Sequence, residues 1–94
     1  MKGFLHFVLE DTLQLTTEAS GLREDPRAAD CVKLIQEHLD LSLIEYLGGN
    51  YEREVRDSVV ELQNIALEHC EFLIAVRLRE ISRLLENVEK ANVA

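Results

Sequence analysis

Apolar residues recur at helical spacing along almost the whole chain, and a few Gly and Pro residues mark where the spacing restarts. Phe4, Leu5, Val8, Leu9, Thr12, Leu15 and Ala19 share one face of a first helix over about 4–20, with Gly21 placed to close it in a left-handed turn. Asp25 and Pro26 open a second helix: the Asp carboxylate can cap free amides, and Pro lacks the N–H that the first turn would leave unused. Its core face is Ala28, Val32, Ile35, Leu39, Leu43 and Tyr46, with a flanking strip of Cys31, Leu34, His38 and Leu41, and it runs over 26–47 to Gly48-Gly49. Asn50 is a good cap for a third helix, and Glu52 and Glu54 suit the positive end of its dipole. No Gly or Pro follows Asn50, so the pattern predicts one helix over 51–90, roughly 60 Å long at the usual rise. Glu52–Arg56 and Glu86–Lys90 add helix-favouring pairs on its exposed side.

The apolar stripe of this third helix changes face partway along. Tyr51, Val55, Val59, Leu62, Ile65, Ala66 and Leu73 form the first stripe, and Ile74, Leu78, Ile81, Leu85 and Val88 the second, turned by roughly 110° on a helical wheel. The second stripe has coiled-coil spacing and extends back through Leu67 and Val60. The first two helices are too short to cover the end of a helix this long, so the second stripe calls for another partner. Closed homodimers are the commonest oligomers. The expected architecture is therefore all-α: an antiparallel helical hairpin plus a long C-terminal helix, a three-helix protomer in a single domain over 1–94, assembled as a dimeric helical bundle. The expected dimer interface is Leu67, Ile74, Leu78, Ile81, Leu85 and Val88. The competing arrangement breaks the third helix near His69-Cys70 and folds it back as a fourth, although Ala66–Leu73 holds no turn residue.

Charge narrows the partners. A net charge of −8 opposes binding to nucleic acid or an anionic membrane, both of which need clustered cations. No run reaches the ~20 apolar residues of a membrane span, and the start of the chain, with Glu10 and Asp11 soon after its apolar stretch, reads as a helix face and not a signal peptide. With 47% apolar residues, no Trp and three Phe, the core must be aliphatic. Two cysteines are too few for a disulfide scaffold, and the expected compartment is the cytoplasm.

Candidate chemistry is thin. Glu37-His38 and Glu68-His69 are adjacent pairs, and neighbours on a helix point about 100° apart, so they chelate poorly. His6 and His38 are the one pair that helix packing could bring to a common level. Cys31 and Cys70 fall within about a turn of each other across a hairpin, so either a bridge or two free thiols is open. Gly48-Gly49-Asn50 lacks the Lys and the preceding strand of a phosphate loop, and no Ser/His/Asp arrangement stands out. Arg77, Arg79 and Arg83 make the one local basic run. Glu71–Leu85 resembles, in its Arg77-x-Arg79-x-Ile81 pattern, the long helix of GINS-type replication subunits; nothing in the first two helices matches, so no assignment is based on it. The reading is a non-enzymatic interaction module, without cofactor or metal, that homodimerises through the end of the third helix. The alternatives are an adaptor or assembly chaperone docking a different protein on the same seam, and a small metal or redox bundle using His6, His38 or the cysteines.

Overall fold

The computed structural model describes the backbone over 4–46 and 53–93 and the side chains over 6–37 and 53–87. All the elements among these residues are helices: α1 (Phe4–Glu18), α2 (Ser20–Arg23), α3 (Pro26–Tyr46), α4 (Arg53–Glu68) and α5 (Phe72–Val93). None of them is long and apolar enough to cross a membrane. The principal extents are 38 × 21 × 19 Å. The helix end expected at Gly48-Gly49 and the cap at Asn50 lie outside the described residues.

The single third helix over 51–90 is corrected to two helices, α4 and α5, joined by His69, Cys70 and Glu71. Cys70 adopts φ 59°, the left-handed conformation usually taken by glycine. The Glu71 amide donates to the Ala66 carbonyl at 2.8 Å and the Cys70 amide to the Leu67 carbonyl at 3.1 Å. These two bonds are a Schellman cap with Cys in the glycine position, and they satisfy carbonyls that a helix end would leave bare. A side chain in this conformation costs roughly 1–2 kcal/mol. The buried stripe of α4 is Val55, Ser58, Val59, Leu62, Ile65 and Ala66, and that of α5 is Ile74, Ala75, Leu78, Ile81 and Leu85. The turn of the stripe between the two halves thus reflects a chain reversal that lets both faces meet one core.

α3 runs antiparallel to α4, with Asp25 and Arg27 beside His69 and Glu68 at one end. α1 packs on α5, α2 and α3. The α1 face is turned from the expected one: His6, Leu9, Thr12, Leu13 and Thr16 are buried, whereas Val8, Leu15 and Ala19 are only partly so. The two threonines tolerate burial because their hydroxyls donate to carbonyls one turn back, Thr12 to Val8 at 2.8 Å and Thr16 to Thr12 at 2.9 Å. The first helix also ends early. The chain bends at Ala19, which is extended (φ −75°, ψ 114°), and Gly21 lies within the single turn of α2 instead of capping α1. Gly21 packs beside His69: a Cβ there would stand 3.4 Å from the His69 ring, an ordinary contact.

Candidate functional site

Where the expected interface residues fall decides what the surface can do. Ile74, Leu78, Ile81 and Leu85 are buried within the chain, packed in its own core. The premise that this stripe lacks an intrachain partner is therefore corrected, because the reversal at Cys70 lays it against α4 and α1. The Val88 side chain lies outside the described residues. Leu67, by contrast, is 45% exposed.

Leu67 has company, including Leu73, which was expected on the inward stripe and lies outside it. Phe72, Leu73 and Val76 open α5 with 61%, 66% and 58% of their surface in solvent. Phe72 and Val76 are one turn apart on the outer face of α5, and Leu73 flanks them. Leu67 is the penultimate residue of α4, so all four gather around one corner of the bundle. Val60, two turns back on the Leu67 face, is also exposed. Continuing along α5, Arg79 and Arg83 occupy the exposed side, whereas the exposed side of α4 carries Asp57, Glu61 and Glu68. Periodicity alone could not find this cluster: it depends on which residues the reversal leaves outside.

A polar cluster ties the same corner to the start of α3. Asp25 Oδ1 accepts from the Arg27 amide at 2.9 Å, the N-cap bond expected from sequence. Its other oxygen accepts from Arg27 Nη2 at 2.9 Å and from His69 Nε2 at 2.8 Å. Arg27 Nη2 also donates to Glu68 Oε2 at 2.8 Å. The Arg27 guanidinium, and then the His69 imidazole, hold the Asp25 carboxyl well below the usual carboxylate range. Because the folded value is depressed, the stabilisation is full above the ordinary carboxylate pKa and fades as pH falls below it. Asp25→Asn keeps the cap and removes the charge. The variant should melt below the wild type at pH 7, and the gap should close as the pH is lowered towards 2. A pH-independent gap in thermal melts would show that the charge plays no part.

The remaining candidate groups stay apart. His6 is buried on α1 with its Nε2 3.1 Å from Glu10 Oε1, and His69 faces Asp25; the His38 side chain lies outside the described residues. Among the described residues no three of His, Cys, Asp and Glu are grouped to hold a metal. Both cysteines are free thiols, Cys31 buried and Cys70 exposed. Burial, with the Glu61 carboxylate adding to it, pushes the Cys31 thiol up to about 11. Arg77, the first residue of the basic run, bonds Asp11 at 2.8 Å and ties α5 to α1. A notch of about 170 Å³ between α1, α2 and α3, lined by Thr16, Leu22, Ala28 and Val32, is smaller than usual small-molecule pockets. No protein-family model matches the chain, and neither the curated proteins nor the solved structures include one significantly similar to it.

Proposed function

We propose that this protein is a helical protein-interaction module that pairs with a second copy of itself at the α4–α5 corner. The exposure of Leu67, Phe72, Leu73 and Val76 around that corner carries the reading. Single exposed apolar residues are ordinary, but these four lie within ten positions of one another and form a patch on the order of 400 Å². In water such a patch is costly to leave bare, at about 25 cal/mol per Å². Charge favours a like partner despite the net charge of −8. Arg79 of one copy complements Asp57 and Glu61 of another when α5 meets α4 across a two-fold axis.

Sedimentation equilibrium tests the proposal. The expected mass rises with concentration from 10.8 kDa towards twice that value. Phe72→Asp with Leu73→Asp should leave a folded monomer, because both side chains point away from the core and their change costs the protomer little. A wild type that stays monomeric at millimolar concentration, or a double variant that still dimerises, counts against the corner.

A further inference from the structure

We infer that the pairing is an exchange of α5: the corner at Cys70 opens, α4 and α5 join into one straight helix, and each α5 packs into the core of the other copy. The inference rests on the self-association proposed above and says how it is achieved.

Four observations point to it. The connection is only His69, Cys70 and Glu71, and its middle residue holds a left-handed conformation that its side chain disfavours. Short connections under strain promote domain exchange, because opening relieves the strain in every copy. Ala66–Leu73 contains neither Gly nor Pro, so the same residues that make the corner also make good helix when straight. Straightening also restores the seven-residue register of Val60, Leu67, Ile74 and Ile81, of which the first two are exposed in the closed chain and the last two buried. Finally, the corner is held from outside by the side-chain pairs Asp25–His69 and Arg27–Glu68, and the second, being exposed, holds weakly.

Area decides between exchange and simple docking. A stable interface buries about 800 Å² on each partner, and the corner patch supplies about half of that. Exchange keeps the packing of α5 on α4 and α1 away from the corner, now between two copies, so a large apolar interface becomes intermolecular at little cost. It also places Phe72, Leu73 and Val76 near the middle of the straightened helix, on the face opposite Ile74. There, the two long helices pass each other near the two-fold axis, and these three side chains, left bare by the closed chain, meet their symmetry mates. The occupant of the patch is thus a second copy, seated there by the opening of the hinge.

Substitutions at Cys70 test this without touching the patch or the core. Glycine relieves the left-handed corner and weakens a straight helix, whereas alanine leaves the corner strained and favours the straight form. With two hinges per dimer, Cys70→Gly should lower the dimerisation constant about 100-fold and Cys70→Ala should raise it about tenfold. Subunit exchange between two differently labelled wild-type dimers should be as slow as unfolding, since α5 must leave a core to move. Sedimentation equilibrium reads the constants, and energy transfer after mixing reads the exchange. If both Cys70 variants dimerise like the wild type and exchange is complete within seconds, while Phe72→Asp with Leu73→Asp still abolishes pairing, the exchange is overturned and surface docking stands. A monomer at every concentration in wild type and Cys70→Ala alike overturns both.

Discussion

Ile81→Asp is expected to unfold the protein. Ile81 is fully buried at the centre of the α5 face, with Leu78 and Leu85 one turn to either side. Truncation to alanine at such a site costs about 2–5 kcal/mol from lost transfer energy and the cavity left behind. Aspartate adds the burial of a carboxylate with no partner, several kcal/mol more. A domain of 94 residues buries a modest share of its surface and sits near the lower end of the usual 5–15 kcal/mol of stability. The sum exceeds what the fold can spare, so far-UV circular dichroism should show most of the helix lost at 25 °C. Val76→Asp, on the exposed side of the same helix, should retain native helicity. If Ile81 lined an open dimer seam, its aspartate variant would keep its helices and lose only its partner. A helical, monomeric Ile81→Asp protein would therefore refute the burial of this stripe inside the chain.

That contrast shows what was legible in the sequence and what was not. The all-helical class, the start of α3 at Asp25-Pro26, and the inward stripe from Val55 to Ala66 follow from periodicity and local chemistry. Those signals are local, so they survive without knowledge of the neighbours. The chain reversal at Cys70 left a trace of another kind. Its Schellman bonds use only backbone groups, and its left-handed position is occupied by Cys, so no turn residue announces it. The phase of the apolar stripe does announce it, because a helix that reverses must present a new set of positions to the same core. The same phase shift fits a straight helix with two partners. In the proposed exchange both readings describe one chain, closed in the first case and open in the second.

The candidate site was less legible for a related reason. Leu67 was identified on the seam, but Phe72, Leu73 and Val76 fall on the outer side of α5 only once the packing of that helix is known. On α1 the buried set includes His6 and Thr16, residue types that hydropathy alone assigns to the surface, beside Thr12, which helical spacing places on the inward face. Thr12 and Thr16 become compatible with the core because their hydroxyls find acceptors within the helix itself. A rule that reads polarity as exposure therefore misplaces part of the inward face of α1.

The two thiols should differ in alkylation rate by about two orders of magnitude in the native protein at pH 8. Cys70 stands exposed at the corner, so reagent reaches it without any opening of the fold. Cys31 is buried on α3, and its thiol is pushed up to about 11 by that burial, by the neighbouring Glu61 carboxylate and by Asp30. A value that high leaves it about one-hundredth of the thiolate of an ordinary cysteine, and the thiolate is the reacting species. Limited iodoacetamide treatment followed by peptide mass mapping should find the label on Cys70, with Cys31 modified about a hundred times more slowly. In guanidinium the two should react alike. The shift also has a consequence for stability. The folded state favours the protonated thiol, so its contribution is present below the ordinary thiol value and is lost as pH rises towards about 11. Glu61→Gln should lessen that alkaline loss and speed the labelling of Cys31, since it removes the adjacent charge while keeping a hydrogen-bonding side chain. Equal native rates at the two cysteines would place Cys31 outside the core and undo the packing of α3 against α4 on which the corner depends.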